Sequence, residues 1–428
     1  MAEIFELTKL SYVVVIGAAF VNLMVGIIDP TVGPYLENLG TSYSVIGRVL
    51  AARFLVVAIG SIPFALLASK IGNFKVLLIP AIAAITGAYI INFIPGVKGV
   101  YYFYLVVGFA DASASGPAAA ILAENEGTKR IAAFSLFSVS WMLPPAIGSA
   151  ISFYWFRNNS SFEASNIQTI FPVIGWIGVI GALIFLTLLI KYRKEDPVAE
   201  QSITLLQQVS IIFTPFVAFA VTLLIIVNFL GGAGAGATLP FLPIYLKLLG
   251  ADARLTSLLI FILNLAMSLA TQSVAPLAKR FGQVKVFAIT QLLSIICLLA
   301  IVFTNDLVIS SVFFILRGMF ANMNTPITQA LTFNYIDSKV RASASALITN
   351  IRWIGWTIAS PISGKIIDTH GFKESFMFTA VIYLVSGILF IYVVLTKKTL
   401  VEYYEIQNKD KISAMYPTVD GATVSLAE

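Results

Sequence analysis

Residues 65–76 read ALLASKIGNFKV, and residues 275–286 read APLAKRFGQVKV. Laid over one another at an offset of 210, Leu67 and Ala68 fall on Leu277 and Ala278, Lys70 on Arg280, Gly72 on Gly282, Lys75 on Lys285 and Val76 on Val286. The same offset carries Pro30 onto Pro240, Tyr35 onto Tyr245, Leu36 onto Leu246, Leu39 and Gly40 onto Leu249 and Gly250, and Gly108 onto Gly318. A slightly longer offset, 216, carries Pro145 and Gly148 onto Pro361 and Gly364. Apolar residues coincide often by chance in so apolar a chain. Proline, glycine and lysine coincide rarely, because each answers a particular backbone or solvation need. The chain therefore consists of two related halves.

What surrounds the two segments is apolar. Of the 428 residues 58% are hydrophobic and 11% charged, and the mean hydropathy is +0.92. A water-soluble domain carries about 25% charged residues. So few charges require a solvent other than water, and lipid accepts an apolar outer face. Runs of the ~20 apolar residues needed to span a bilayer fall near 11–36, 44–68, 76–95, 100–123, 131–156, 167–190, 209–236, 253–278, 286–304, 307–334, 342–367 and 374–396. The first is too long for a signal-peptide core and is read as a retained helix. Twelve runs in succession with almost no polar face predict an all-α membrane protein, with 12 transmembrane helices arranged as two six-helix repeats. Six is even, so both halves enter the membrane in the same direction and the repeat is parallel, with its axis along the membrane normal. The expected units are a six-helix bundle over 1–190, a linker over 191–208, a second six-helix bundle over 209–398 and a polar tail over 399–428.

The net charge of +6 sits in short clusters between the runs, not in one solvated patch, so it marks orientation and not nucleic-acid binding. With the N-terminus inside, the inner segments hold Lys9, Lys70, Lys75, Lys129, Arg130, Lys191, Arg193, Lys194, Lys279, Arg280, Lys285, Lys339, Arg341, Lys397 and Lys398. The outer segments hold Lys98, Arg157, Lys247, Arg254, Lys365 and Lys373. The bias of fifteen to six predicts cytoplasmic termini and a multi-pass protein of the cell membrane. A single cysteine, Cys297, and a single histidine, His370, leave no disulfide, thiolate metal site or histidine cluster to build. No metal or cofactor is expected.

The chain resembles the major facilitator superfamily over about residues 1–398. The family pattern between helices 2 and 3 is Gly-x-x-x-Asp-Arg/Lys-x-Gly-Arg/Lys-Arg/Lys. Lys70 and Gly72 keep their places here, Lys75 comes one position late, and the acidic position is Ser69; the second copy has Lys279 there. The resemblance makes Lys70, Gly72, Lys75, Arg280, Gly282 and Lys285 gating candidates, while the basic residues among them equally serve as topology markers. Helix 1 ends Gly33-Pro34-Tyr35-Leu36 before Gly40, which looks like the drug-efflux branch. Pro145 and Gly148 are similar to the tail of the antiporter motif, but its upstream glycines are absent.

A charge at membrane depth costs about 2.5–3.5 kcal/mol even on the gentler insertion scale, so each should face a partner or a cavity. Six stand in the runs: Asp29, Arg48, Arg53, Asp111, Arg317 and Arg352. Asp111, among Gly108, Ala112, Ser115 and Gly116, is the first proton-coupling candidate. Its alternative is a structural carboxylate paired with an Arg of helix 2 or 5. Asp29 is the second candidate, and an Asp29–Arg53 pair is its alternative. Pro30 is expected to bend or break helix 1 beside it. Arg48, near the outer surface, snorkels.

Arg317 and Arg352, with no acid at their depth in the second half, suit an anionic group, or equally backbone carbonyls or an acid across the halves. Arg53, Trp141, Asn22, Asn324 and Gln329 complete the substrate-binding candidates, with Asn264 and Gln272 as further cavity residues. Gly231 to Gly236 lacks the strand of a dinucleotide fingerprint and serves flexibility or close packing.

No catalytic constellation converges in the chain, which argues against an enzyme. The expected function is a secondary transporter working by alternating access, coupled to protons and exporting lipophilic or drug-like compounds. The alternative is a proton-coupled symporter or exchanger of a small organic anion; a channel is remote. The expected partners are a small-molecule substrate, protons and the bilayer, with the chain a monomer.

Overall fold

The computed structural model describes residues 7–125, 130–192, 215–333 and 341–392. The expected tail, and the linker beyond Tyr192, lie outside these residues. Twelve long helices stand where the twelve runs were expected, and the described residues contain no strand. In the first half they are α1 (Lys9–Asn38), α2 (Tyr43–Ile71), α3 (Asn73–Phe93), α4 (Gly96–Asn125), α5 (Arg130–Trp155) and α6 (Phe171–Tyr192). In the second they are α7 (Pro215–Thr238), α8 (Ala253–Phe281), α9 (Gln283–Val302), α10 (Leu307–Phe333), α11 (Arg341–Thr369) and α12 (Phe372–Tyr392). Among the described residues, nine of the twelve are long and apolar enough to cross a membrane by length and composition alone. The other three, α4, α5 and α11, abut residues that are not described.

The repeated residues prove to be helix punctuation. Gly72 and Gly282 end α2 and α8 at φ +94° and +86°, each donating its N–H to the carbonyl four residues back, Ala68 or Ala278. Gly40 and Gly250 end α1 and the extension of α7 at φ +73° and +99°. The residue after each closes a six-residue loop: Thr41 N–H donates to Leu36 O at 3.2 Å, and Ala251 N–H to Leu246 O at 2.9 Å. This is the Schellman arrangement, which needs a left-handed residue and so favours glycine.

Of the bend or break expected at Pro30, the break is absent: α1 runs through Pro30 and Pro34 as one helix. Proline cannot bond the carbonyl four residues back, here Gly26 O. Ser149 Oγ of α5 donates to that carbonyl at 3.2 Å, so it is not left bare. The repeat mate does give way. After Thr238, α7 passes through a 3-10 turn, Leu239–Phe241, into a short helix, Leu242–Leu248. The position equivalent to Ser149 there is Lys365, which offers no hydroxyl.

Packing follows the duplication. α1 lies on α5, α2 on α4 and α3 on α4; six helices on, α7 lies on α11, α8 on α10 and α9 on α10. The halves meet along α2–α11 and along α5–α8, themselves equivalent pairs. The fold is thus the two six-helix parallel repeats expected. Missing side chains make the close crossings possible. A Cβ on Gly26 would lie 2.4 Å from Pro145 Cα, and one on Gly148 would lie 2.5 Å from the Gly26 carbonyl carbon. In the second half a Cβ on Gly236 would lie 2.6 Å from Trp356 O, and one on Gly355 would meet Phe229 O. The Pro145 and Gly148 pair therefore packs α1 against α5, while Gly232 and Gly236 pack α7 against α11 and Gly234 packs it against Tyr383 of α12.

Candidate functional site

The polar heart of the first half is built by α1, α2 and α4. Arg53 lies ten residues into α2, about 15 Å from its start at 1.5 Å per residue. Its Nε donates to Asp111 Oδ2 at 2.6 Å and its Nη2 donates to Asn22 Oδ1 at 2.7 Å. Asn22 in turn gives its Nδ2 to Ala18 O at 2.9 Å. All three side chains are buried. Gly108, one turn from Asp111, lets α2 approach: a Cβ there would lie 2.6 Å from Arg53 O. Two turns toward the α1–α2 turn, Tyr104 OH donates to Asp29 Oδ1 at 2.9 Å. Asn22 to Asp29 and Asp111 to Tyr104 are both steps of seven residues, so the two polar rungs stand about 10 Å apart.

The alternative raised for Asp29, an ion pair with Arg53, is absent among the described residues, because Arg53 sits one rung deeper and gives Nε and Nη2 to Asp111 and Asn22. The alternative raised for Asp111, an Arg of helix 2, is the contact present. Asn22 is a hydrogen-bond partner of Arg53 and of Ala18 O.

The second half has no equivalent cluster. At the 210 offset Arg53 becomes Leu263, Asp111 becomes Ala321 and Asn22 becomes Gly232. Arg317 is 1% exposed, and its Nη2 donates to Tyr383 OH at 2.7 Å and weakly to Gly234 O at 3.4 Å. Its Nε has no partner among the described residues. Burial on this scale takes Arg317 out of reach of a ligand in this conformation. Asn324 joins Thr290 and Gln291 of α9, and Gln291 Nε2 donates to Tyr383 O at 2.7 Å. That network ties α9, α10 and α12 together. The side chain of Gln329 lies outside the described residues.

Arg352 differs from both arginines above. It is half-buried on α11 beside Gly231 of α7, and no carboxylate pairs with it among the described residues. Next to it are aromatic residues that the sequence reading did not single out. Phe54 of α2 stacks on Trp353 of α11 with centroids 4.8 Å apart and an interplanar angle of 18°, and its ring lies 4.6 Å from that of Trp356. The indole N–H of Trp356 is buried without a partner among the described residues. The cluster bridges the halves directly beside Arg53, whose guanidinium carbon is 5.7 Å from the Phe54 centroid. Trp141, half-buried on α5, stands edge-on to Phe137 at 6.3 Å.

Two ends of the molecule remain. At the end holding Gly72 and Gly282, the side chains of Lys70, Lys75, Arg280 and Lys285 are exposed, and none pairs with a carboxylate among the described residues. The opposite end, here called distal, joins the halves through contacts not anticipated. Lys247 Nζ reaches Glu37 Oε2 at 2.8 Å and also Asn38 Oδ1. Asp368 at the end of α11 accepts from Tyr43 N–H and Ser44 N–H at 2.8 and 2.9 Å. It thereby caps α2, whose own Ser42 makes no cap bond. Phe372 packs on both Tyr43 and Tyr245. Glu37 and Lys247 are equivalent positions at the 210 offset, so the pair straddles the repeat axis; opposite charges at mated positions were the signal available in the sequence.

The sequence profile of the Major Facilitator Superfamily matches residues 14–275 and 224–406. No curated protein matches the chain. Among solved structures, the nucleoside transporter NupG is similar with a TM-score of 0.70 at 17% identity, over 90% of this chain and 99% of that one. A point mutant of NupG gives 0.74 at the same identity and the same coverage. A bacterial homolog of the human lysosomal transporter Spinster, in an inward-facing and unoccupied conformation, gives 0.67 at 13%, over 90% of this chain and 96% of that one. At such identities the likeness is one of fold.

Proposed function

The chain belongs to the major facilitator superfamily and is a secondary transporter, and from that premise we propose that it carries ring-bearing lipophilic compounds by alternating access, coupled to protons. The observation that carries the substrate reading is the Phe54–Trp353–Trp356 cluster. Aromatic faces from both halves meet beside the charged rung, where a flat apolar ligand would replace ring–ring contacts with its own. Coupling is assigned to Arg53 and Asp111. A proton on Asp111 would cancel the ion pair and release Arg53 from α4, which changes how tightly α2 is held to its own half. In this scheme the six-helix units rock about α2–α11 and α5–α8, and the distal contacts open. The likeness of Gly33-Pro34-Tyr35-Leu36 to the drug-efflux branch supports export as the direction and the cell membrane as the place.

Arg352 favours a second reading. An arginine at membrane depth without a carboxylate suits an organic anion. Proteoliposome transport separates the two, using a panel of neutral, cationic and anionic aromatic compounds with and without a pH gradient. The first reading expects gradient-dependent flux of neutral or cationic compounds that Arg352→Gln leaves intact and Phe54→Ala impairs. Flux of the anions alone, lost in Arg352→Gln, would establish the second. Flux that ignores the gradient and never saturates would remove both.

A further inference from the structure

A crevice of about 510 Å³ opens on the flank of the molecule between α2, α4 and α11, toward the distal end. Its walls are mostly apolar, with Val49 and Leu55 from α2 and Pro361 from α11. Two cations stand at it, Arg48 in the second turn of α2 and Lys98 in the first turn of α4, with Tyr101 and Tyr102 beside them. Both cations are exposed, and neither pairs with a carboxylate among the described residues. Helix starts put them at the level of lipid headgroups, where tyrosine is also at home. The crevice is not part of the Arg53–Asp111 rung: Ala52, next in the chain, turns toward the crevice while Arg53 turns to α4.

We infer that this crevice is a binding site for one anionic phospholipid of the leaflet at the distal end. The volume is that of a small-molecule site. Its apolar length accepts an acyl chain, and Arg48 with Lys98 complements a single phosphodiester charge. The distribution of charge points the same way. Basic residues are the minority at this end, fifteen to six in the loops, yet two cations converge on one apolar cleft. Walls from both halves meet there, and Gly47 packs directly on Ser360 and Pro361 beside the cleft. A lipid held in it would therefore touch both moving units.

The test is native mass spectrometry of the full-length protein in detergent with equal amounts of dioleoyl phosphatidylglycerol and dioleoyl phosphatidylcholine. The expected result is one phosphatidylglycerol retained in preference. Arg48→Gln and Lys98→Gln should each weaken that preference about fivefold, as befits a cation at a lipid surface, and Arg48→Lys should keep it. Leu55→Trp, which fills the cleft without touching its charges, should lower retention of the lipid as well. Inorganic phosphate should not displace the phosphatidylglycerol. Equal retention of the two lipids, full retention in the charge variants, or displacement by phosphate would each overturn the proposal.

Discussion

Arg53 uses two sides of its guanidinium inside the membrane, one on Asp111 and one on Asn22. A buried pair of this kind is costly to break from one side, because the remaining charge is left in an apolar setting; such losses run to about 3–5 kcal/mol. Asp111→Asn should therefore lower the thermal stability of the purified protein markedly. The double variant Arg53→Met with Asp111→Leu removes both charges and should recover most of it, while flux driven by a pH gradient stays absent. Thermal unfolding and gradient-driven transport measured on the same samples check this. Equal loss of stability in the single and double variants would contradict the pairing. Asp29 is held differently, by a single tyrosine hydroxyl. Tyr104→Phe leaves a partly buried carboxylate without its donor and should cost about 1.5–3 kcal/mol, the worth of a hydrogen bond to a charged group, and less than Asp111→Asn in the same assay.

At the scale of the helix, the glycines act through what they lack. Gly148 brings α5 onto the backbone of α1, where Ser149 reaches the carbonyl that Pro30 leaves free. Gly148→Val puts methyl groups where there is 2.5 Å to the neighbouring backbone, and backbone cannot swing aside as a side chain can. The expected penalty is at least the ~1–3 kcal/mol of an overpacked core. It should be read as a fall in unfolding temperature larger than that of Gly87→Ala, where an added Cβ would find its nearest neighbour, a Phe103 ring carbon, at 3.5 Å. Ser149→Ala tests the proline argument separately. It leaves Gly26 O without its donor and should destabilise α1, whereas Ser149→Thr keeps a hydroxyl and should not.

For the whole molecule, the distal closure is the feature with a measurable equilibrium. The Glu37–Lys247 pair is partly exposed, so its worth is about 1 kcal/mol or less. That amounts to about a fivefold shift at most in a two-state population. Glu37→Gln should shift the ensemble toward distal opening, and exchanging the pair, Glu37→Lys with Lys247→Glu, should shift it back. Spin labels at Leu39 and Leu249, in a background with Cys297 replaced by alanine, would report longer distances in Glu37→Gln than in the exchanged variant. Asp368→Ala removes the cap on α2 as well and should give the larger shift. No change in any of these distances would mean that the apolar packing around Phe372, and not the charges, holds the end closed.

Composition, the twelve apolar runs and the 210 offset determined the class, the helix count and the parallel duplication, because lipid leaves so few solutions for a spanning backbone. Gly40, Gly72, Gly250 and Gly282 were legible too, since a helix end is a local event written in neighbouring residues. The partners of the buried charges were not legible. Asp111, Arg53 and Asn22 lie on three helices, and whether Arg53 serves Asp29 or Asp111 turns on one rung of about 10 Å, set by where each helix begins and how it is rotated. The same holds for Arg317, Asn324 and Arg352: only the packing of α7, α9, α11 and α12 decided that the first two are spent inside their half while the third is left beside the aromatic bridge. A charge pattern states that a partner is needed, and tertiary geometry chooses which.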